Sequence, residues 1–471
     1  MSGDWLSIVP FLVVIPLAIF TKKVLPALVV GVVVGGYLVQ PQPVGGLKAA
    51  VQYVVNALID ENNIKVILFL YAFTGLVGMM KHSGGIKGFV KWASDTIETK
   101  RGAIGLTWVS TLGTFAAPSF RIVTVAPIMR SLLHRIKMTP QELGFVIETT
   151  CTSIVSLIPI STAFVGYMVS VTNMALKNEN INADGYSMFL RSIPFNFFSL
   201  AIILIGIYLS FFHKSKKDVE KNAEPENKEQ AEAKGYEDCH PAVSKDLPAK
   251  PFNLIVPLFL VIFLTIGLTY YNGVRKGFSG FNAFIEADVL DAMLVSLVTG
   301  ILFAFVFYLF QQFKLQDLMD EFISGANGLM QVVILLSVVW GLSLAANDLG
   351  FADFVSSHIS WIPDALVPPV MFVLGSFIAY FIGSAFGTWG ILMPLGVSMA
   401  AMADASLPVV IGAVFASGAF GAFASPLSDD TNTMAGILDL KAVSYSRFKL
   451  KPGLIAAGVA TVGYGVTAFI I

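Results

Sequence analysis

A chain of 471 residues that is 55% hydrophobic and only 13% charged is too apolar for a soluble globular protein, and it reads as a polytopic membrane protein. Its formal net charge of −1 offers no basic surface for nucleic acid. With two cysteines, Cys151 in an apolar segment and Cys239 in a charged one, a disulfide framework is not expected, and no second Cys or His stands at ligand spacing from Cys239-His240.

A membrane helix needs roughly 17 to 25 apolar residues. Runs of that kind begin at 5–20, which has no basic segment before it and so reads as a first span rather than a cleaved signal. They continue at 24–39, 64–81, 140–176 and 188–212, then at 252–271, 290–311, 329–346, 407–438 and 452–471. Two further stretches, 101–134 and 367–403, are long enough to enter and return.

Charge orients them. Lys22 and Lys23 follow the first run; Lys81, Lys87, Lys91, Lys100 and Arg101 precede 101–134, and Arg130, Arg135 and Lys137 close it. The positive-inside rule therefore puts both ends of this stretch in the cytoplasm, as a re-entrant hairpin requires. The flanks of 367–403 carry Asp but no Lys or Arg, so that hairpin enters from outside. Lys441, Arg447, Lys449 and Lys451 fall inside, whereas Arg275 and Lys276 fall outside against the rule. Five spans and a hairpin in residues 1–212, a charged linker over 213–250, then five spans and a hairpin in 251–471 place both termini outside and the linker in the cytoplasm. An odd number of spans per half turns the second half upside down.

The halves also repeat in sequence. Pro127 pairs with Pro394, Pro159 with Pro426 and Ser161 with Ser428 at one offset, and Gly75-Leu76 matches Gly341-Leu342 at nearly the same offset. Inverted repeats with discontinuous helices mark secondary transporters, whose site lies at the repeat interface near the midplane. The fold expected is an all-α polytopic membrane protein of two inverted repeats with broken helices.

Four breaks collect the polar residues. In the second half Pro426 removes a backbone donor, and Ser425, Ser428, Asp429, Asp430, Thr431 and Asn432 surround it. Freed carbonyls, hydroxyls and carboxylates are the hard oxygens that Na⁺ prefers, and Asp429 and Asp430 are its candidate ligands. One of the two acids also fits as an N-cap of the helix that resumes at Thr431. In the first half Ser119 and Arg121 stand at the hairpin, Glu148 lies on the order of 16 Å into the next span, and Ser161 and Thr162 follow Pro159. Arg121 and Glu148 either pair with each other or serve an anionic substrate group and a proton. Ser384, Gly387 and Thr388 mark the second hairpin tip, where each hydroxyl also fits a backbone cap.

On Gly387-Thr388-Trp389-Gly390-Ile391-Leu392-Met393-Pro394 and Ser425-Pro426-Leu427-Ser428-Asp429, the chain resembles the NhaC family of sodium/proton antiporters, in the ion transporter superfamily. The second motif is similar to that family's Ser-Pro-x-Ser-Asp-Thr-Thr element, with Asp430 replacing the first Thr and Thr431 keeping the second. Thr114 to Arg121 departs from the Gly-Thr-Ser-Trp pattern of the first hairpin. The resemblance implies Na⁺ coupling with Asp429 as the acidic position, and a homodimer that moves a transport domain against a scaffold. Related proteins exchange organic acids or amino acids.

The function expected is Na⁺/H⁺ antiport by alternating access in the inner membrane, with no cofactor beyond the ions. The alternative is a Na⁺- or H⁺-coupled transporter of a carboxylate or amino acid held by Arg121. An intramembrane enzyme is a distant third, because no nucleophile and base pair up in the sequence.

Overall fold

The computed structural model describes residues 5–21, 23–85, 87–88, 100–111, 121–122, 125–126, 129–130, 133, 138–159, 162–211, 249–280, 283, 289–351, 354 and 363–467. Every regular element among them is helical. Inside a bilayer each N–H and C=O must be satisfied within its own segment, so the long Leu, Ile, Val and Phe runs coil rather than extend.

The first half carries α1 (Val9–Thr21), α2 (Val24–Val39), α3 (Pro43–Ile59), α4 (Glu61–His82), α5 (Lys100–Val109), α6 (Pro140–Thr149), α7 (Thr152–Val155), α8 (Ala163–Asn178), α9 (Gly185–Ser192) and α10 (Phe197–Phe211). The second carries α11 (Phe252–Arg275), α12 (Val289–Phe310), α13 (Leu315–Asn327), α14 (Met330–Asp348), α15 (Val367–Ile382), α16 (Ala385–Ala403), α17 (Leu407–Ala424), α18 (Asp429–Ile437) and α19 (Ala442–Thr467). Among the described residues seven helices are long and apolar enough to cross a membrane, and eight if α9 and α10, bent by 46°, count as one span.

Hydropathy alone passed over α3 and α13. Lys48, Gln52 and Asn56 on α3, and Asp317, Asp320 and Glu321 on α13, dilute the apolar signal, yet both segments coil. Each sits just before the helix that the Gly-Leu repeat pairs, α4 and α14. Those two helices run in opposite directions. Asp60 at the start of α4 meets Lys177 at the end of α8, and Asn178 beside it bonds Ser343 near the end of α14. At the other end of α4, Ser83 accepts from Asn253 at the start of α11. This antiparallel placement is consistent with an inverted repeat.

The span expected over 140–176 is broken twice. A capping box, Thr139 with Glu142, starts α6 behind Pro140. At its end the Thr149 and Thr150 hydroxyls bond back to Phe145 O and Ile147 O, each at 2.7 Å, which competes with the helical ladder. The chain resumes as the single turn α7, and after Pro159 the Thr162 hydroxyl caps α8 by accepting from Val165 N. In the second half α17 stops at Ala424 and α18 starts at Asp429, as the Pro426 break predicts.

The second hairpin is α15 and α16 joined through Gly383 and Ser384. Gly383 sits at φ +73°, and a Cβ there would meet the backbone of Leu427, so the turn needs glycine both for its conformation and for its contact with the Pro426 break. Each arm is of spanning length, roughly 24 Å and 28 Å at helical rise. The tip thus abuts the break, and Ser425 Oγ donates to Tyr380 O at 2.6 Å.

Two apolar cores result. The larger draws on α1, α2, α4, α8, α11, α12, α14, α16 and α17. The smaller draws on α5, on Ile122, Val125, Ala126 and Met129, and on α6, α10, α17, α18 and α19. Phe259, Phe263, Leu302 and Val306 face outward from α11 and α12, as lipid-facing side chains do. The polar residues discussed next are enclosed by the smaller core.

Candidate functional site

The first break and the second break meet. Thr152, at the first position of α7, donates to Asp430 Oδ2 at 2.8 Å. Asp430 is in the first turn of α18, where the helix dipole favours an anion, and is 9% exposed. Glu148, on the last turn of α6, is 3% exposed. Its partner is Lys449 on α19, fully buried, whose Nζ donates to Glu148 Oε2 and to Thr431 Oγ1, the latter at 2.9 Å. The ammonium also lies 4.4 Å from the centre of the Tyr445 ring and 5.2 Å from that of Phe423. Glu148 Oε1 and Tyr445 OH are both buried at the same place.

Arg121 stands behind the same turn. Its Nε and Nη2 donate to Thr150 Oγ1 at 3.0 and 2.6 Å, its Nη1 to Ser110 Oγ at 3.1 Å and its Nη2 to Thr107 O at 2.5 Å. Of the two roles left open for Arg121 and Glu148, the mutual pairing does not form: the acid takes Lys449, and the guanidinium ties α5 to the Thr150 turn. Its planar fork suits several acceptors at once, a task for which Lys is no substitute.

The remaining candidates divide into groups. Asp429 is exposed at the start of α18, directed differently from its neighbour. Ser425, Ser428 and Asn432 satisfy the break itself: Ser428 Oγ donates to Ala422 O at 2.6 Å and Asn432 Nδ2 to Ser428 O at 2.9 Å. No cap bond forms from the Ser428 side chain, and neither Asp is the N-cap. Ser384 caps α16 by accepting from Gly387 N, and Thr388 bonds back to Ser384 O. Gly387 lies against Val24 of α2. Ser119 and Ser161 lie outside the described residues. Structure thus gathers Glu148, Asp430 and Thr431, with Arg121 bonded to Thr150 of the same turn, and leaves Ser384, Gly387 and Thr388 at the hairpin tip and Thr162 at the start of α8.

Lys449 and Thr152 are the residues that charge counting and motif reading missed. The signal for Lys449 was present: Tyr445, Lys449, Gly453, Ala456, Ala460 and Tyr464 recur at helical spacing, and all are buried. Among the described residues no group of three His, Cys, Asp or Glu is placed to hold a resident metal ion.

Known proteins share this architecture. Residues 162–469, more than half of the chain, match the Na⁺/H⁺ antiporter family. An uncharacterized protein of Haemophilus influenzae is 25% identical over a 493-residue alignment that covers 99% of this chain and 91% of that protein. Among solved structures, the Alcanivorax borkumensis YdaH transporter is similar with a TM-score of 0.62 at 14% identity, covering 89% of this chain and 88% of that one. Neisseria gonorrhoeae MtrF, described within a class of antimetabolite efflux pumps, has a TM-score of 0.67 at 12% identity and covers 90% and 85%. These two show the shared fold. The chain is a secondary transporter rather than an enzyme, and it belongs to the Na⁺/H⁺ antiporter family.

Proposed function

We propose that the chain exchanges Na⁺ for H⁺ by alternating access, and that Asp430, seconded by Glu148, is the carboxylate that carries each ion in turn. The supporting observation is that two buried carboxylates, drawn from two broken spans, sit beside one another's break: Glu148 pairs with Lys449, which also bonds Thr431, and Asp430, next to Thr431 in the chain, accepts from Thr152. Lys449 compensates Glu148. Asp430 receives one side-chain hydrogen bond among the described residues, from the neutral Thr152 hydroxyl. A buried carboxylate so thinly compensated is costly unless it holds a proton or a cation.

The exchange then needs little movement of charge. A proton leaves Asp430, and Na⁺ replaces it among hard oxygens: the carboxylate, the Thr152 and Thr431 hydroxyls, and carbonyls left without helical donors at the break. One cation replaces another at one anion, so the site stays compensated throughout. Access alternates when the hairpins shift against the broken spans.

The carboxylate or amino-acid alternative would anchor its cargo on Arg121. Four N–H directions of that guanidinium already serve Thr150, Ser110 and Thr107, which favours positioning over cargo binding. We place the protein in the inner membrane as a homodimer, with the linker cytoplasmic and both termini outside. A Na⁺ jump outside proteoliposomes should change the lumenal pH with wild type and not with Glu148→Gln. Equal pH changes with both would overturn the assignment of Glu148.

A further inference from the structure

A second polar space lies at the far end of the broken span that carries Glu148. Asn178 and Glu179 close α8, Ser343 and Asn347 come from the last turns of α14, and Pro394 and Ser398 come from α16; together they line a cavity of about 10 Å³. That is room for roughly one water-sized guest. Phe11, Ala346 and Phe351 complete the lining, which is apolar over most of its surface; its polar side chains, from Asn178, Glu179, Ser343, Asn347 and Ser398, all carry oxygen, and it contains neither Cys nor His. Ser398 Oγ donates to Glu179 Oε1, so its lone pairs remain to ligate. Asn178 Nδ2 donates to Ser343 Oγ at 2.6 Å, which leaves the amide oxygen as the ligand end. Ser398 and Ser343 are 1% and 2% exposed, so the donors are fixed rather than drifting in solvent.

The C-termini of α8 and α14 converge on the space, each presenting the negative end of a helix dipole. Between this cavity and the Asp430 cluster stands an aromatic box. Phe164 lies 4.7 Å from Phe386 and 5.0 Å from Trp389, Tyr167 lies 4.7 Å from Phe386, and Tyr167 OH donates to Phe386 O. The cavity and the cluster are therefore separate polar spaces toward opposite faces.

We propose that this cavity is a cation-binding site on the face away from the 213–250 linker. It takes a compact monovalent cation, Na⁺ or a primary ammonium head, with Glu179 as the anionic ligand and Ser398, Ser343 and Asn178 as neutral oxygen ligands. It deepens the exchange reading by giving the ion a loading position before the coupling carboxylates, and rests on that reading for what passes onward.

The test is sidedness. Proteoliposomes are sorted by maleimide labelling of Cys239 in the linker, and the KM for Na⁺ is measured separately from each face. Glu179→Gln should raise KM at least about tenfold on the face opposite the linker and less than about twofold on the linker face. Glu179→Asp should restore it to within about threefold, and Ser398→Ala should show a smaller shift of the same sidedness. A KM unchanged, or raised equally on both faces, overturns the proposal. If wild type exchanges no Na⁺ for H⁺, the exchange reading fails by itself, and the site is then tested by thermal stabilisation of the purified protein. Stabilisation by NaCl or methylammonium chloride over choline chloride, lost in Glu179→Gln, supports the site and identifies its guest; stabilisation by neither, or retained in Glu179→Gln, refutes it.

Discussion

Replacing Lys449 with Met removes the ammonium that Glu148 leans on while keeping a side chain of similar length. Glu148 would then be a carboxylate at 3% exposure with no cation in contact. Breaking a buried ion pair from one side typically costs about 3–5 kcal/mol. Loss of the ammonium from above Tyr445 and Phe423 adds about 0.5–2 kcal/mol. Glu148→Gln with Lys449→Met removes both charges, and such double replacement is often close to neutral, so the double variant should lie within about 2 kcal/mol of wild type. The coupling energy of the cycle should then exceed about 2 kcal/mol. Denaturant unfolding in micelles reads it through tryptophan emission, to which the fully buried Trp340 and Trp389 contribute. Effects of the two single changes that add within about 0.5 kcal/mol would refute the pair as an energetic unit.

Other outcomes follow from particular contacts. Arg121→Lys should destabilise by about 1–3 kcal/mol, because one ammonium cannot serve Thr150, Ser110 and Thr107 together; unfolding free energy checks it, and an unaltered value would return Arg121 to cargo binding. Gly383→Ala should cost about 1–3 kcal/mol, from the left-handed backbone and the Leu427 contact, and a thermal scan as stable as wild type would deny the tight tip. For Asp60, burial alone would raise the carboxyl, but Lys177 Nζ at 2.6 Å and the N–H groups of Asn62 and Asn63 hold it below its ordinary value of 3.8. The unfolded chain binds that proton more tightly, so the contribution is present above pH 3.8 and is lost as pH falls toward the depressed native value. Because Lys177 is mostly exposed, the effect should stay under about 1 kcal/mol and should shrink, leaving the share of the Asn62 and Asn63 N–H groups, in Lys177→Met, as stability measured from neutral to acid pH would report.

Much of this was legible from residue order. Pro426 with its hydroxyls and acids had to interrupt a membrane helix, and α17 ends at Ala424 with α18 starting at Asp429. Glu148 and Asp430 stood out because a carboxylate in an apolar run needs a partner. The identity of that partner was not legible by charge. Lys449 lies among Lys441, Arg447 and Lys451, which are exposed, and the positive-inside rule treats all four alike. Only its place on the Tyr445 to Tyr464 face separates it from them. Asp429 and Asp430 are likewise indistinguishable in a linear motif, whereas on a helix a step of one residue turns the side chain by about 100°. That rotation leaves Asp429 exposed and brings Asp430 to Thr152. The helices α3 and α13 escaped for the opposite reason, since a polar face hides a helix from a hydropathy window.

The central claim is that Asp430 carries the exchanged ions while its exposed neighbour does not. It is tested most directly by ²²Na⁺ uptake into proteoliposomes driven by an outward proton gradient, comparing Asp430→Asn with Asp429→Asn. The account predicts uptake reduced at least about a hundredfold in Asp430→Asn and kept within about threefold of wild type in Asp429→Asn. Uptake retained in Asp430→Asn, or abolished only in Asp429→Asn, would contradict it.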